Sequence, residues 1–232
     1  MKGIILKRGL SANALKIIAL ISMTIDHIGA YIYPNLDVLR IIGRLAFPLF
    51  SFMIAEGCYY TKNRTKYFLM IFGLGLICSA AYYVFSGIIY FHSLTSFSFS
   101  ILIIYAVDKA VKNKNAFFWL ITTLIVALFA FINYGLPNLI DKQKLDIGYG
   151  FFAIFLPIAV YYFKDLRLKI VALIVALLPL SLDMGFPQWY SLLAPVLLIF
   201  YDGTRGKLRL KYLFYIYYPL HFVVIYGLSL II

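Results

Sequence analysis

The chain has 232 residues, of which 64% are hydrophobic and only 13% charged, and its mean hydropathy is +0.93. The apolar residues form long runs, which excludes a soluble domain and predicts an all-α, polytopic membrane bundle with a single domain over residues 1–232. The net charge is +12, but nearly all Lys and Arg residues fall in short loops, so we expect no nucleic-acid partner. The two cysteines have no metal-ligand or disulfide spacing, and no metal site is expected.

Segmentation by apolar runs predicts about nine membrane spans. Several are shorter than the ~20 residues that a straight crossing needs, so we expect them to be tilted, half-buried or re-entrant. In chain order the predicted spans cover residues 12–33, 38–60, 66–85, 95–108, 115–132, 147–163, 168–182, 188–201 and 212–232.

The loops between these spans alternate strictly between basic and non-basic. Because positively charged loops stay on the cytoplasmic side, the alternation predicts a cytoplasmic N-terminus and an external C-terminus. The basic loops lie around residues 2–8, 62–66, 109–114, 164–169 and 205–211, and the neutral or acidic ones at 34–37, 86–95, 133–146 and 182–187.

The first two spans form a predicted hairpin that carries ionisable side chains at membrane depth. Such groups are costly in a bilayer, usually face a protein interior or a wet cavity, and are functional-site candidates by default. The six residues are Lys16, Asp26, His27, Arg40, Arg44 and Glu56.

The helical rise sorts most of these charges into two layers. Counted from the outer turn, Arg44 reaches the depth of Asp26, and the two are predicted to form a structural ion pair that can also shape a site. Glu56 reaches the depth of Lys16, which can instead extend towards the cytoplasmic face. Between the layers, Pro48 is predicted to interrupt the second arm.

His27 lies on the same helical face as Lys16, about three turns further out. Its imidazole can take up and return protons near neutral pH, so it is a candidate general base. A buried histidine satisfied by hydrogen bonds is an equal alternative on this pattern alone. The last span repeats the arrangement with His221, next to tyrosines such as Tyr218 that also suit plain packing.

Three stretches carry a family resemblance: LKIIALISMTIDHIGAYIYP, then IGRLAFPLFSFMIAEG followed by TKNRTKY, and the closing FYIYYPLH. They resemble the TraX family of membrane proteins, named for F-pilin acetylation and similar in pattern to the acyltransferase-3 group. The signature of that group is a basic residue, ten intervening residues and a histidine in the first span, and Lys16 and His27 fit it.

The resemblance implies transfer of an acetyl group from cytoplasmic acetyl-CoA to an acceptor outside the plasma membrane of a bacterium, either a pilin-like peptide or a glycan. His27 would then be the base or acyl carrier, and Lys16 would lie along the acyl-CoA path. Lys62 and Arg64 would suit the CoA phosphates. Arg44 or a tyrosine would stabilise the oxyanion.

Two other functions remain compatible with the residues. Intramembrane charges and proline-broken spans equally suit a small proton-coupled secondary transporter, although the sequence shows no inverted repeat. A non-catalytic membrane assembly partner, in which the charges lock the hairpin, is the second alternative.

Overall fold

The structure is a computed structural model that describes residues 9–140, 144–207 and 211–231. The described residues are mainly helical, and two short strands, β1 (Ile89–Phe91) and β2 (Leu145–Ile147), pair in parallel. The α-helices are α1 (Ala12–Tyr31), α2 (Asp37–Gly43), α3 (Ala46–Tyr60), α4 (Arg64–Ser86), α5 (Ser93–Asn113), α6 (Ala116–Ala130), α7 (Phe155–Tyr161), α8 (Leu166–Met184), α9 (Ala194–Ile199) and α10 (Lys211–Ser229).

Several helices begin at a short polar side chain that follows a loop. Oδ1 of Asn63 accepts from the first turn of α4, Oδ1 of Asn115 from that of α6, and Oδ1 of Asp165 from that of α8. These oxygens satisfy backbone N–H groups that have no partner inside the helix. At the other end of α4, Gly87 adopts left-handed backbone with φ 69°, which stops the helix.

Five helical stretches in the described residues are long and apolar enough to cross a membrane, which confirms the predicted helical membrane class. The count of nine spans, the cytoplasmic N-terminus and the single domain stay predictions. Helix α5 has 21 residues and is longer than the predicted span 95–108. The five stretches are Ala12–Tyr31, Asp37–Tyr60, Arg64–Ser86, Ser93–Asn113 and Ala116–Asn138.

Three of the predicted spans are not continuous helices, and two of them lie in the second half of the chain. The stretch 147–163 contains the end of β2, a 3-10 turn and only then α7, and Gly150, with φ 63°, interrupts the chain before that turn. The stretch 188–201 begins with a 3-10 segment, and α9 follows with Pro195 in its first turn, where a proline is tolerated.

The predicted break in the second arm exists, but it lies before Pro48. Residues Arg44 and Leu45 form a turn between α2 and α3. Pro48 has no N–H for the carbonyl of Arg44, four residues earlier, and its ring would clash with that carbonyl in a continuous helix. Because of this proline, the helix breaks at Arg44 and Leu45, about one turn before Pro48.

The chain divides into two compact units. Unit 1 contains residues up to 53 and from 163 onward, and unit 2 contains residues 54–162, so the boundary falls within α3. In unit 1 the backbone around Leu10 pairs with Tyr201, and Ala12 N donates to Thr204 O at 2.8 Å. The start of α1 and the basic loop near Arg205 are thus neighbours, whereas residues 2–8 and 208–210 lie outside the described residues.

Unit 2 has a corresponding arrangement at each end. At one end Arg64, Asp108 and Tyr161 meet, which brings three basic loops together. At the other end β1 pairs with β2, which joins two non-basic loops. In these three contacts, therefore, basic loops meet basic loops and non-basic loops meet non-basic loops.

Candidate active site

Inside unit 1 a carboxylate on α1 binds one arginine of α2 and one of the turn that follows α2. Oδ1 of Asp26 accepts from Nη2 of Arg44 at 2.5 Å, and Oδ2 accepts from Nη1 of Arg40 at 2.9 Å. The Asp26 and Arg44 side chains are 12% and 6% exposed, whereas the Arg40 side chain is 29% exposed. Arg44 also donates from Nη1 to Oε1 of Gln188 at 3.3 Å. The predicted contact of Asp26 with Arg44 is confirmed.

Close packing of α1 and α2 makes this ion pair possible. A Cβ atom added at Gly43 would overlap the side chain of Asp26, and one at Gly29 would overlap that of Leu39. Glycines at these positions let the two helices approach closely, as small residues do in membrane proteins. The carboxylate can therefore reach both arginines.

Helices α1 and α10 run side by side in the same direction. Nζ of Lys16 lies 5.4 Å from the ring centroid of Phe214, and further along Oγ1 of Thr24 lies 2.7 Å from the hydroxyl of Tyr217. Thr24 already donates to the carbonyl of Leu20, so Tyr217 donates in this bond. The next contact along the same two helices joins their histidines.

His27 is half-buried, and its two ring nitrogens differ in their surroundings. Nδ1 lies 2.8 Å from the carbonyl oxygen of Met23 and 3.3 Å from Nε2 of His221. Because a carbonyl can only accept, this geometry assigns the proton of neutral His27 to Nδ1. Nε2 then carries a lone pair, and it has no hydrogen-bond partner among the described residues.

Aromatic rings fix the orientation of both histidines. The ring of Tyr31 stacks on His27 with centroids 6.1 Å apart, and Phe222 meets His27 edge-on at 6.3 Å. His221 stacks on Tyr217, and Tyr218, another predicted site residue, meets it edge-on at 5.7 Å. The two rings are therefore held by packing as well as by hydrogen bonds.

Lys16 is half-buried at the other end of the α1–α10 contact. Within the described part of unit 1 its ammonium has no carboxylate partner, and Arg205 is near enough to repel it. An ammonium without an acidic neighbour is suited to an anionic ligand. Glu56 is buried and belongs to unit 2, so its predicted pairing with Lys16 stays a prediction.

Unit 2 contains the other two residues predicted to bind CoA phosphates. Lys62 is exposed, whereas Nη2 of Arg64 lies 2.6 Å from Oδ2 of Asp108. The Arg64 guanidinium also lies 4.7 Å from the ring centroid of Tyr105. The charge of Arg64 is thus partly balanced inside unit 2, and the phosphate-binding role of both residues stays a prediction.

The sequence interpretation missed two features of this site. Arg40 shares the Asp26 carboxylate with Arg44, and its position one helical turn before Arg44 was a usable signal. The contact between His27 and His221 had no such signal, because the two helices are separated by most of the chain.

The sequence model of the TraX protein family matches residues 11–229, which include every described residue of this site. The chain belongs to the TraX family. The resemblance stated from the sequence motifs is therefore confirmed.

Two relatives extend the comparison. The first is the "Probable fimbrial assembly protein FimC, serogroup H1" of Dichelobacter nodosus, 25% identical over an alignment that covers 93% of this TraX-family chain and 94% of the relative. The second is an uncharacterized protein, RP591, of Rickettsia prowazekii (strain Madrid E). It is 47% identical over 62 residues, which cover 27% of the chain and 24% of the relative. No solved structure matches the chain significantly.

Proposed function

We propose that this TraX-family protein is a membrane acetyltransferase that uses acetyl-CoA as donor and modifies an acceptor at the outer face of the plasma membrane of a bacterium. One observation carries the proposal: the lone pair on Nε2 of His27. Its Nδ1 is engaged by the Met23 carbonyl and by His221, so Nε2 is the atom left to exchange a proton with a substrate. This arrangement is typical of a general base.

Acetyl-CoA would supply the acetyl group as an activated thioester. Nε2 of His27 would remove the proton of an acceptor amine or hydroxyl as that group attacks the acetyl carbonyl, and would then return the proton to the departing sulfur. Asp26, Arg40 and Arg44 are near enough to act electrostatically on His27. Of the two guanidiniums, that of Arg40 is the more exposed, which makes it the better candidate for stabilising a developing oxyanion.

The N-terminal halves of α1 and α10, where Lys16 lies, suit the CoA phosphates. Lys16 and the nearby Arg205 place two positive charges there without a carboxylate on Lys16 in the described part of unit 1. Cations near phosphate oxygens form charge-assisted hydrogen bonds. Helix α1 has 20 residues and is about 30 Å long, so it separates a cytoplasmic entrance from an acceptor site near its outer end.

The direction of α10 agrees with the proposed topology. Because α1 and α10 run the same way, a chain in which both helices cross the membrane has an odd number of crossings. Nine spans with a cytoplasmic N-terminus and an external C-terminus satisfy this condition.

The acceptor is proposed to be a pilin-like peptide. The name of the Dichelobacter nodosus relative refers to fimbrial assembly, and the resemblance to the TraX family implies a pilin-like peptide as one acceptor. The same relative also favours a second candidate function, a non-catalytic partner in fimbrial assembly, in which the buried charges serve structure alone.

The test uses purified protein in lipid nanodiscs with acetyl-CoA and a panel of peptide and glycan acceptors. We expect thiol release and an acceptor heavier by one acetyl group, and we expect His27→Ala to abolish both. His92→Gln, which alters the histidine of unit 2, should retain activity. Full activity in His27→Ala would contradict the proposal. Fimbrial assembly that persists in cells carrying a folded His27→Ala protein would instead support the assembly partner.

A further inference from the structure

His221 also has two distinct ring nitrogens. Its Nδ1 lies 3.0 Å from the carbonyl oxygen of Tyr217, one helical turn earlier in α10. A carbonyl only accepts, so the proton of neutral His221 lies on Nδ1 and its Nε2 is bare. That bare nitrogen is the atom that faces Nδ1 of His27 at 3.3 Å.

The two histidines therefore form an ordered donor–acceptor pair. The Nδ1 hydrogen of His27 is shared between the Met23 carbonyl and Nε2 of His221, as in other three-centre hydrogen bonds. If neutral His27 carried its proton on Nε2, its Nδ1 lone pair would face two acceptors. That alternative tautomer is therefore disfavoured by Met23 and His221 together.

We infer that His221 is a positioning residue that holds His27 in the tautomer with a basic Nε2. When Nε2 of His27 takes up a proton, Nδ1 remains a donor and becomes a stronger one, and Nε2 of His221 accepts it. If Nε2 of His221 carried a proton, its N–H would face the Nδ1–H of His27, and the two donors would repel each other. His221 thus supports His27 while it is itself neutral. The catalytic consequence rests on the proposed function, whereas the tautomer does not.

The surroundings keep His221 in this role. Its ring is stacked on Tyr217 with an angle of 4° between the planes, and the side chain is buried. The ring plane is inclined by 66° to that of His27, with the centroids 4.9 Å apart. An inclined ring directs a nitrogen lone pair at its neighbour, which a stacked pair of histidines would not do.

Two substitutions at His221 separate positioning from packing. His221→Gln can place an amide oxygen where Nε2 lies, so it keeps an acceptor for His27. His221→Phe keeps the ring volume and removes the acceptor. We expect His221→Phe to lower kcat about ten- to hundredfold with little change in KM for acetyl-CoA, and His221→Gln to recover most of that loss.

The matched control is Thr24→Val, which removes another polar contact between α1 and α10 and leaves the histidines intact. It should retain the wild-type kcat. The inference is overturned if His221→Phe keeps wild-type kcat, or if folded His221→Gln loses as much activity as His221→Phe.

Nitrogen-15 NMR of labelled histidines tests the tautomer without any assay of acetyl transfer. In the wild type, Nδ1 of His27 should carry the proton and Nε2 should be bare. In His221→Phe the population protonated on Nε2 should rise. A wild-type His27 protonated mainly on Nε2 would overturn the inference even in an active enzyme. The expected tautomer in a protein that transfers no acetyl group would support the histidine pair and count against the proposed function.

Discussion

Arg44 and Asp26 form an ion pair of 2.5 Å inside unit 1, and the Asp26 carboxylate is shared with Arg40. Two guanidiniums thus share one carboxylate in the predicted membrane hairpin. Charges there are tolerated when they are paired, and removal of one partner leaves an uncompensated charge behind. Replacing one member of the Asp26–Arg44 pair should therefore lower the stability of the protein more than replacing both.

Asp26→Asn should destabilise the protein by about 3–5 kcal/mol, because it removes the carboxylate that both arginines bind. The double variant Asp26→Asn with Arg44→Met should recover part of this loss. Thermal unfolding in detergent measures the stability of the single and the double variant. Asp37→Asn, an exposed carboxylate in the first turn of α2, should change stability by less than ~0.5 kcal/mol. A double variant less stable than Asp26→Asn would argue against the pair.

Gly43→Ala should destabilise the hairpin by about 1–3 kcal/mol, because its methyl group would overlap Asp26 and force the helices apart. Gly227→Ala is a matched control in α10, since an added Cβ there meets no atom within 4 Å. The melting temperatures of the two variants are compared. Equal melting temperatures would show that α1 and α2 do not depend on close approach at Gly43.

The hairpin was predictable because its geometry is local. A short turn and a fixed rise per residue place Arg44 opposite Asp26 whatever the rest of the chain does. Pro48 also gave a usable signal for the break, since its missing N–H and the clash of its ring act on the residue four positions earlier. These features follow from spacing alone.

Other features depend on contacts that spacing does not encode. The meeting of His27 with His221 requires that α10 return beside α1, which the order of the spans leaves open. β1 and β2 have three residues each, which is too short to show an alternating pattern. The sequence therefore predicted no strand at either place. Arg64 was predicted to bind CoA phosphates from a basic loop, and its contacts with Asp108 and Tyr105 depend on helix packing that the spacing does not encode.

Lys16→Met should raise KM for acetyl-CoA about tenfold with a smaller effect on kcat, because the ammonium is proposed to bind phosphate rather than a carboxylate of the chain. Lys16→Arg should recover much of the affinity. Lys112→Gln, which alters an exposed lysine in the last turn of α5, should leave KM unchanged. If Lys16→Met lowers stability and leaves KM at the wild-type value, Lys16 has a structural role instead.

Arg64 and Lys62 should differ in stability even if both bind phosphate. Arg64→Gln removes an ion pair and a cation–π contact, and should cost about 1 kcal/mol, since the side chain is 45% exposed. Lys62→Gln should cost less than ~0.5 kcal/mol. Denaturation midpoints measure this difference, and KM for acetyl-CoA separately measures the phosphate-binding role. Unchanged KM in both variants would reject that role.

The proposed topology can be tested at the two ends of α1. Asn35 lies in the exposed turn after α1, and Lys207 lies in the exposed loop next to its start. Single cysteines are introduced at each position after Cys58 and Cys78, both buried, have been replaced by serine. In intact cells a membrane-impermeant maleimide should label Asn35→Cys, whereas Lys207→Cys should react only after permeabilisation. The reverse pattern would invert the predicted orientation, and labelling of both from outside would show that α1 does not cross the membrane.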